Sequence, residues 1–331
     1  MKQSIEGDSA ARGRGALGMP KRGILERLRT RILGTSTIKG YRHDRMIGLV
    51  LMMPMVLLIL LLSVYPVLRV LTMGLYQQPL YGGEATFVGL GNLRALLRHP
   101  LFMRGLRNNL VFAFGSLAVQ MVVGLIVALV LNRTFYLRGL VRGTILFSYL
   151  VPYVVAALTF RFMLSDATGI LTYYASAWNL PVASAPFGSR DWAMPAVILV
   201  NSWKNFPFMV IVFLAQLQSI NRDLYEVASV DGARVFHMFR HITFPLLLPT
   251  ILVVGMLRTI WNFNNFEVIF LLTQGGPLGR TETFPILIHR FVFSEFSLGR
   301  GAALATVVLG LLLAMSFIYW KLYEKMQERT T

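Results

Sequence analysis

Six stretches of this chain are apolar enough, and at roughly 20 residues long enough, to cross about 30 Å of hydrocarbon as helices. They fall near 46–70, 110–131, 143–164, 193–216, 244–270 and 302–320. The expected fold is therefore an all-α integral membrane domain of six transmembrane helices over residues 46–331, preceded by a basic extension over 1–45. Composition agrees: 55% of the 331 residues are hydrophobic, 14% are charged and the mean hydropathy is +0.60. Soluble domains of this size are more polar. Cysteine is absent, which excludes disulfides, thiolate metal sites and cysteine nucleophiles.

Lys and Arg set the orientation. The first 45 residues carry eleven of them and no apolar core of a signal peptide, so this extension is expected to stay in the cytoplasm. Within it Ile24, Leu25, Leu28 and Ile32 share one helical face, which fits either a short helix on the inner leaflet or a solvated tail. With the N-terminus inside, the inner segments hold 20 Lys and Arg and the outer segments 8, placing both termini in the cytoplasm. Segment 71–109, with Arg94, Arg98, Arg104 and Arg107, becomes an outer, partly amphipathic loop. The excess positive charge of the whole chain, 32 Lys and Arg against 15 Asp and Glu, suits an anionic lipid surface, and no basic-aromatic groove suggests nucleic acid.

The loop at about 217–243 then faces the cytoplasm. Leu224 to Val230 reads as a short helix, Gly232 as a turn, and Val235, Phe236, Phe239 and Ile242 recur at helical spacing afterwards. On pattern alone this is either a docking elbow or a connection that solvates its charges. Its text, "EVASVDGA" followed by Ile242 and Pro245, resembles the EAA signature of permease subunits in binding-protein-dependent ATP-driven importers, with Glu226, Ala228, Gly232, Ile242 and Pro245 in register. Val227 and Phe244 are modest departures. "FVGLGNLRALL" at 87–97, "VNSWKNFPFMVIVFLAQLQSINRDLYEVA" at 200–228 and "WNFNNFEVIFLLTQGGP" at 261–277 are similar to the large permease subunit of the maltose importer and its carbohydrate-uptake relatives. The resemblance implies the MetI-like ABC importer permease fold and a coupling helix in which Leu224, Tyr225, Glu226, Ala228, Asp231, Gly232 and Ala233 meet the ATPase.

Polar side chains inside hydrocarbon are costly and usually face a cavity or a partner helix. Span five places Arg258, Asn262 and Asn265 on one face beside Trp261. Span four does the same with Asn201, Lys204 and Asn205 around Trp203, and span three adds Tyr149 and Tyr153 around Pro152. Amides with aromatic rings suit a sugar, whose hydroxyls and apolar ring face they match; bonding between helices is the plainer use of the same asparagines. The resemblance implies that these ten residues line a sugar pocket, with Lys204 and Arg258 adding positive charge where the maltose branch has none. A charge at mid-depth costs roughly 2.5–3.5 kcal/mol. Either an ion pair, with Glu267 or an acid on a partner, or an anionic group on the substrate would offset it, and an alginate-like or other uronate-containing sugar is the expectation. Arg69 and Arg161 lie near outer span ends and can reach headgroups.

No catalysis is expected on this chain. A G-x-x-x-x-G-K-[ST] phosphate loop is missing, "TQGGPLGRT" at 273–281 has other spacing, and the five histidines form no metal-ligand pattern. The resemblance implies a bacterial inner-membrane assembly: a second permease, two ABC ATPase copies holding ATP and Mg, and an extracytoplasmic solute-binding protein that delivers the saccharide, with no cofactor on this chain. A neutral oligosaccharide of maltose type is the alternative substrate. An ion-coupled carrier, or more remotely an enzyme of lipid-linked sugars, is the alternative class.

Overall fold

The computed structural model describes residues 39–165, 169–178 and 186–328. The candidate amphipathic segment around Leu25 and Leu28 lies outside them. The described chain divides at Pro66 and Val67 into two units. The first contains helix α1 (Lys39–Ile59), with Pro54 inside it, and a π-helical turn at Leu60–Val64. Helix α2 (Tyr65–Met73) begins at the boundary.

In the second unit a two-stranded antiparallel hairpin, β1 (Tyr76–Gln77) and β2 (Thr86–Phe87), leads to α3 (Gly91–Arg98). Asn92 on α3 donates to the carbonyls of Gly74 and Tyr76 (2.9 and 2.8 Å), tying hairpin to helix. Next come α4 (Pro100–Asn132), α5 (Arg138–Leu150), α6 (Tyr153–Met163) and α7 (Ile170–Ala177). After them stand α8 (Ala193–Ser219), α9 (Asp223–Val230), α10 (Val235–Met238) and α11 (Phe244–Phe263). The chain closes with α12 (Glu267–Leu272), α13 (Phe284–His289) and α14 (Leu298–Gln327).

Among the described residues five helical stretches are long and apolar enough to cross a membrane: Ile47–Met73, Pro100–Asn132, Ala193–Ser219, Val235–Phe263 and Leu298–Gln327. A sixth crossing exists if α5 and α6, bent by 95°, act together. The expected straight span at 143–164 is thus corrected. Pro152 has no N–H to donate, and its ring drives Val151 to an extended ψ of 128°, so the helix stops and restarts.

Two other boundaries move for equally local reasons. Segment 71–109 is not a loop throughout, because α4 begins at Pro100, where a proline loses nothing at a first helical position. His99 caps it, its Nδ1 accepting from the Leu101 N–H at 3.3 Å. Span five starts earlier and ends sooner than 244–270. The amphipathic segment after Gly232 runs through a π-helical turn at Phe239–Thr243 straight into α11, the wider turn giving room for the Pro245 ring. At the other end the helix stops at Asn264 and resumes as α12.

Helices α4 and α8 form the axis of the second unit. Small residues on α4, Gly115 against Ile198 and Gly124 against Met209, let α8 approach, as membrane helices need when no hydrophobic effect drives them together. A Cβ on Gly124 would lie 2.4 Å from the Met209 Cβ, so the two backbones are as close as glycine allows. One apolar cluster gathers Ala128 and Leu131 of α4, Phe213 and Leu217 of α8 and Leu247 of α11. A second, around Phe102, Phe263, Phe284, Phe291 and Leu304, fixes α13 and α14 to the opposite end of α4.

Candidate functional site

At 1.5 Å per residue, α4 passes three levels of interest. The first is a cavity of about 850 Å³ beside its first turns, lined by Arg104, Arg107, Arg190 and Arg280 with Asp191 and Asn108. Asn108 is spent on the wall, donating to the carbonyls of Gly279 (2.8 Å) and Glu282 (3.1 Å). Arg107, Arg190 and Arg280 form no ion pair among the described residues. The cavity is therefore strongly electropositive.

Thirteen residues beyond Arg107, about 20 Å along the helix, lies the middle level. Here Gln120 of α4, Asn201 and Asn205 of α8, and Arg258 and Asn262 of α11 are all at most 3% exposed. Arg258 Nε donates to Gln120 Oε1 (3.0 Å), and its terminal nitrogens donate to Asn205 Oδ1 (3.4 Å) and Asn262 Oδ1 (3.3 Å). Asn201 Nδ2 donates to Asn262 Oδ1 (3.2 Å), and Asn265 Nδ2 to Asn201 Oδ1 (3.2 Å). Asn205 Nδ2 turns back on the Asn201 carbonyl (2.8 Å), while Tyr153 Oη donates to Asn205 Oδ1 (2.9 Å). The structure brings the expected polar residues of α6, α8 and α11 together around Gln120 of α4, but most of their polar atoms serve one another. Asn201, Asn205, Arg258 and Asn262 are chiefly the internal frame of the site.

The second cation is placed differently. Lys204 donates to the main-chain carbonyl of Tyr149 (2.5 Å), one of the carbonyls that α5 leaves free by breaking at Val151. A cation at a helix C-terminus is favoured by the aligned peptide dipoles. Its Nζ also stands 5.3 and 5.1 Å from the ring centres of Tyr149 and Tyr153. Arg258 lies 5.4 Å from the Trp261 ring centre and 6.0 Å from that of Phe208. Two cations thus stand against an aromatic wall, with Tyr149 stacked near Phe208 and Phe208 edge-on to Trp261. Trp203 packs edge-on to Phe160. Tyr149 and Trp261 remain 37 and 46% exposed, so the wall rather than the amide frame meets open space, whereas Trp203 lies with Phe160 and not on that wall.

An ion pair with Glu267, one of the alternatives for offsetting these charges, is not formed. Glu267 is exposed in the first turn of α12, where a helix N-terminus favours a carboxylate, and among the described residues neither Lys204 nor Arg258 has an acidic partner within 4.0 Å. Neutral acceptors and aromatic faces hold both charges. Arg161 donates to the carbonyl of Leu271 (3.5 Å), joining α6 to α12. Gln120 and Phe208 were absent from the expected set. Gln120 was visible as the one amide within the apolar run 110–131, and nothing marks Phe208 apart from other span phenylalanines.

The third level is the elbow. Asn221 Oδ1 accepts from the Asp223 N–H (3.1 Å) ahead of α9, whose first turn carries Asp223 and Glu226 where the dipole favours them. Gly232, at φ +77°, ends the helix: its N–H reaches the Ser229 carbonyl and that of Ala233 the Ala228 carbonyl, the paired bonds of a glycine C-cap. Tyr225 Oη bonds Thr243 Oγ1 at 2.9 Å, tying α9 to the residue that precedes α11. Leu224, Val227 and Val230 form an exposed apolar stripe on α9.

A family model described as "Binding-protein-dependent transport system inner membrane component" matches residues 120–326. The trehalose/maltose transport system permease protein MalF of Thermococcus litoralis is 31% identical over 287 residues, covering 87% of this chain and 96% of its own. The sulfoquinovosyl glycerol transport system permease protein SmoG of Agrobacterium fabrum is 32% identical, covering 84% and 91%. Among solved structures, a chain of a bacterial ABC transporter involved in the import of the acidic polysaccharide alginate superposes with a TM-score of 0.71 at 25% identity, over 86% of this chain and 98% of that one.

Proposed function

This chain belongs to the family of binding-protein-dependent transport system inner membrane components, as a sugar-importer permease without catalysis of its own, and we propose that the saccharide it passes is anionic. Family membership sets the ion-coupled carrier aside. One observation carries the substrate reading: Lys204 and Arg258, both buried, bring two charges up against a half-open aromatic wall, and among the described residues no carboxylate lies within 4.0 Å of either. The four-arginine cavity at the outer end of α4 supports it, because an electropositive mouth concentrates anions ahead of the wall. Relatives divide: one is named for trehalose/maltose, another for sulfoquinovosyl glycerol, a sulfonate, and a solved neighbour for acidic alginate.

In this reading both termini and the elbow face the cytoplasm. A second permease completes the translocation path, two ATPase copies carry ATP and Mg, and a solute-binding protein meets the outer loops. The apolar stripe Leu224, Val227 and Val230 seats in the ATPase, with Tyr225, Glu226, Ala228, Asp231 and Gly232 shaping the contact. Closure of the ATPase pair on ATP moves α9, and the Tyr225–Thr243 bond carries that motion to α11 and its Arg258 and Trp261. The wall then opens outward, and hydrolysis reverses it.

Lys204→Met tests the substrate reading without removing the amide frame. A charge-assisted hydrogen bond is worth about 1.5–3 kcal/mol, so uptake of uronate oligosaccharides is expected to fall about tenfold or more. Trehalose or maltose uptake, where present, should persist. Equal loss of acidic and neutral uptake, or intact acidic uptake, would return the wall to a neutral sugar. Arg258→Met is a poorer probe, because it strips donors from Gln120, Asn205 and Asn262 together.

A further inference from the structure

Helices α5 and α8 enclose a second basic feature, at the end of the unit where the elbow lies. Arg138 and Arg142, one turn apart at the start of α5, face Gln218 of α8. With its amide oxygen turned toward them, Gln218 accepts from Arg138 at 2.9 Å and Arg142 at 3.1 Å. One neutral oxygen is thus shared by two guanidinium groups, and the Nε of each arginine is buried without a hydrogen-bond partner. The placement is unfavourable twice over: like charges at i, i+4 repel, and cations at a helix N-terminus oppose the dipole. An anion would correct both.

The shape around them is specific. A cavity of about 630 Å³ reaches from Arg138 and Gln218 past Thr134 to Arg222 and Tyr225 of the elbow. From Arg142 and Gln218 a separate groove of about 250 Å³ runs deeper between the helices, lined by Ile145, Leu146, Ile211 and Leu214. Along α5 the same face therefore changes from arginine to aliphatic over two turns, as the membrane changes from headgroup to acyl chain. Free phosphate would satisfy the arginines but would leave the groove without a purpose.

We propose that Arg138, Arg142 and Arg222 hold the phosphate of an anionic phospholipid, with one of its acyl chains in the groove between α5 and α8. Basic pockets between membrane helices suit such headgroups, and the assignment to the inner leaflet alone rests on the orientation proposed above. Because Tyr225 forms part of the pocket wall, the lipid would bear on the elbow that receives the ATPase.

The assembled transporter, reconstituted in phosphatidylcholine vesicles doped with phosphatidylglycerol, is re-extracted in mild detergent, and the lipid that co-purifies is quantified by mass spectrometry. Wild type is expected to retain roughly tenfold more phosphatidylglycerol than Arg138→Gln/Arg142→Gln. Ile211→Trp, which fills the groove and leaves every arginine in place, should lose it as well. Co-elution of the partner subunits verifies that each variant is folded. Equal retention by wild type and the arginine variant would overturn the site. Arginine-dependent retention that survives Ile211→Trp and is displaced by inorganic phosphate would make it a free-anion site and overturn the lipid. Transport is not read in this experiment, so its failure leaves the saccharide reading intact.

Discussion

Gly124→Leu is expected to abolish recovery of folded transporter, because the contact it breaks is backbone against backbone. The Met209 Cβ occupies the place a Gly124 side chain would need, and a Cβ cannot rotate away, so α4 and α8 must separate. Even Gly124→Ala should cost about 1–3 kcal/mol, the usual range for overpacking a core, and leucine adds three carbons at the same point. Separation would also break the bond from the Ser202 hydroxyl of α8 to the Ser116 carbonyl of α4 (3.5 Å), beside the buried frame. Size-exclusion profiles and melting of the detergent-solubilised protein read the effect. Met209→Gly should rescue Gly124→Ala by moving the small residue to the other helix. A Gly124→Leu protein that melted like wild type would show that α4 and α8 do not cross so closely.

Gly232→Val should act on transport and spare assembly. At φ +77° a β-branched residue is strained by about 1–2 kcal/mol or more, enough to unwind the C-cap and redirect the chain between α9 and α10. Since no Cβ added at Gly232 meets another atom within 4 Å, the cause is conformation and not crowding. ATP-driven uptake is expected to fall about tenfold or more, while basal ATP hydrolysis and subunit co-purification persist. Gly232→Asn, tolerant of the left-handed region, should retain most of the uptake. Wild-type uptake by Gly232→Val would remove the elbow from the coupling path.

Much of this was legible in the sequence because a membrane imposes a simple rule. Apolar runs of sufficient length located the crossings, and the costly polar residues within them, Asn201, Lys204, Asn205, Arg258 and Asn262, were the ones the fold gathers at one level. Locating them did not reveal their division of labour. Whether Asn262 offers its oxygen to Asn201 or to a ligand depends on which neighbouring helix faces it, and sequence spacing fixes only one helix at a time. The bend at Pro152 was legible in principle, but hydropathy averages over it. The free carbonyl that the bend offers to Lys204 was not, since it comes from a residue 55 positions away. Glu267 misled for the same reason: a carboxylate nine residues after Arg258 looks like a partner until the break at Asn264 turns it away.

The decisive measurement is ATP hydrolysis and sugar accumulation by the complete transporter in proteoliposomes, with its binding protein supplied loaded either with a uronate oligosaccharide or with trehalose. Hydrolysis stimulated by the acidic sugar, with accumulation of that sugar and loss of both on Lys204→Met, is the expected result. Stimulation by trehalose alone, or accumulation that continues without ATP, would contradict an ATP-driven importer of anionic saccharides.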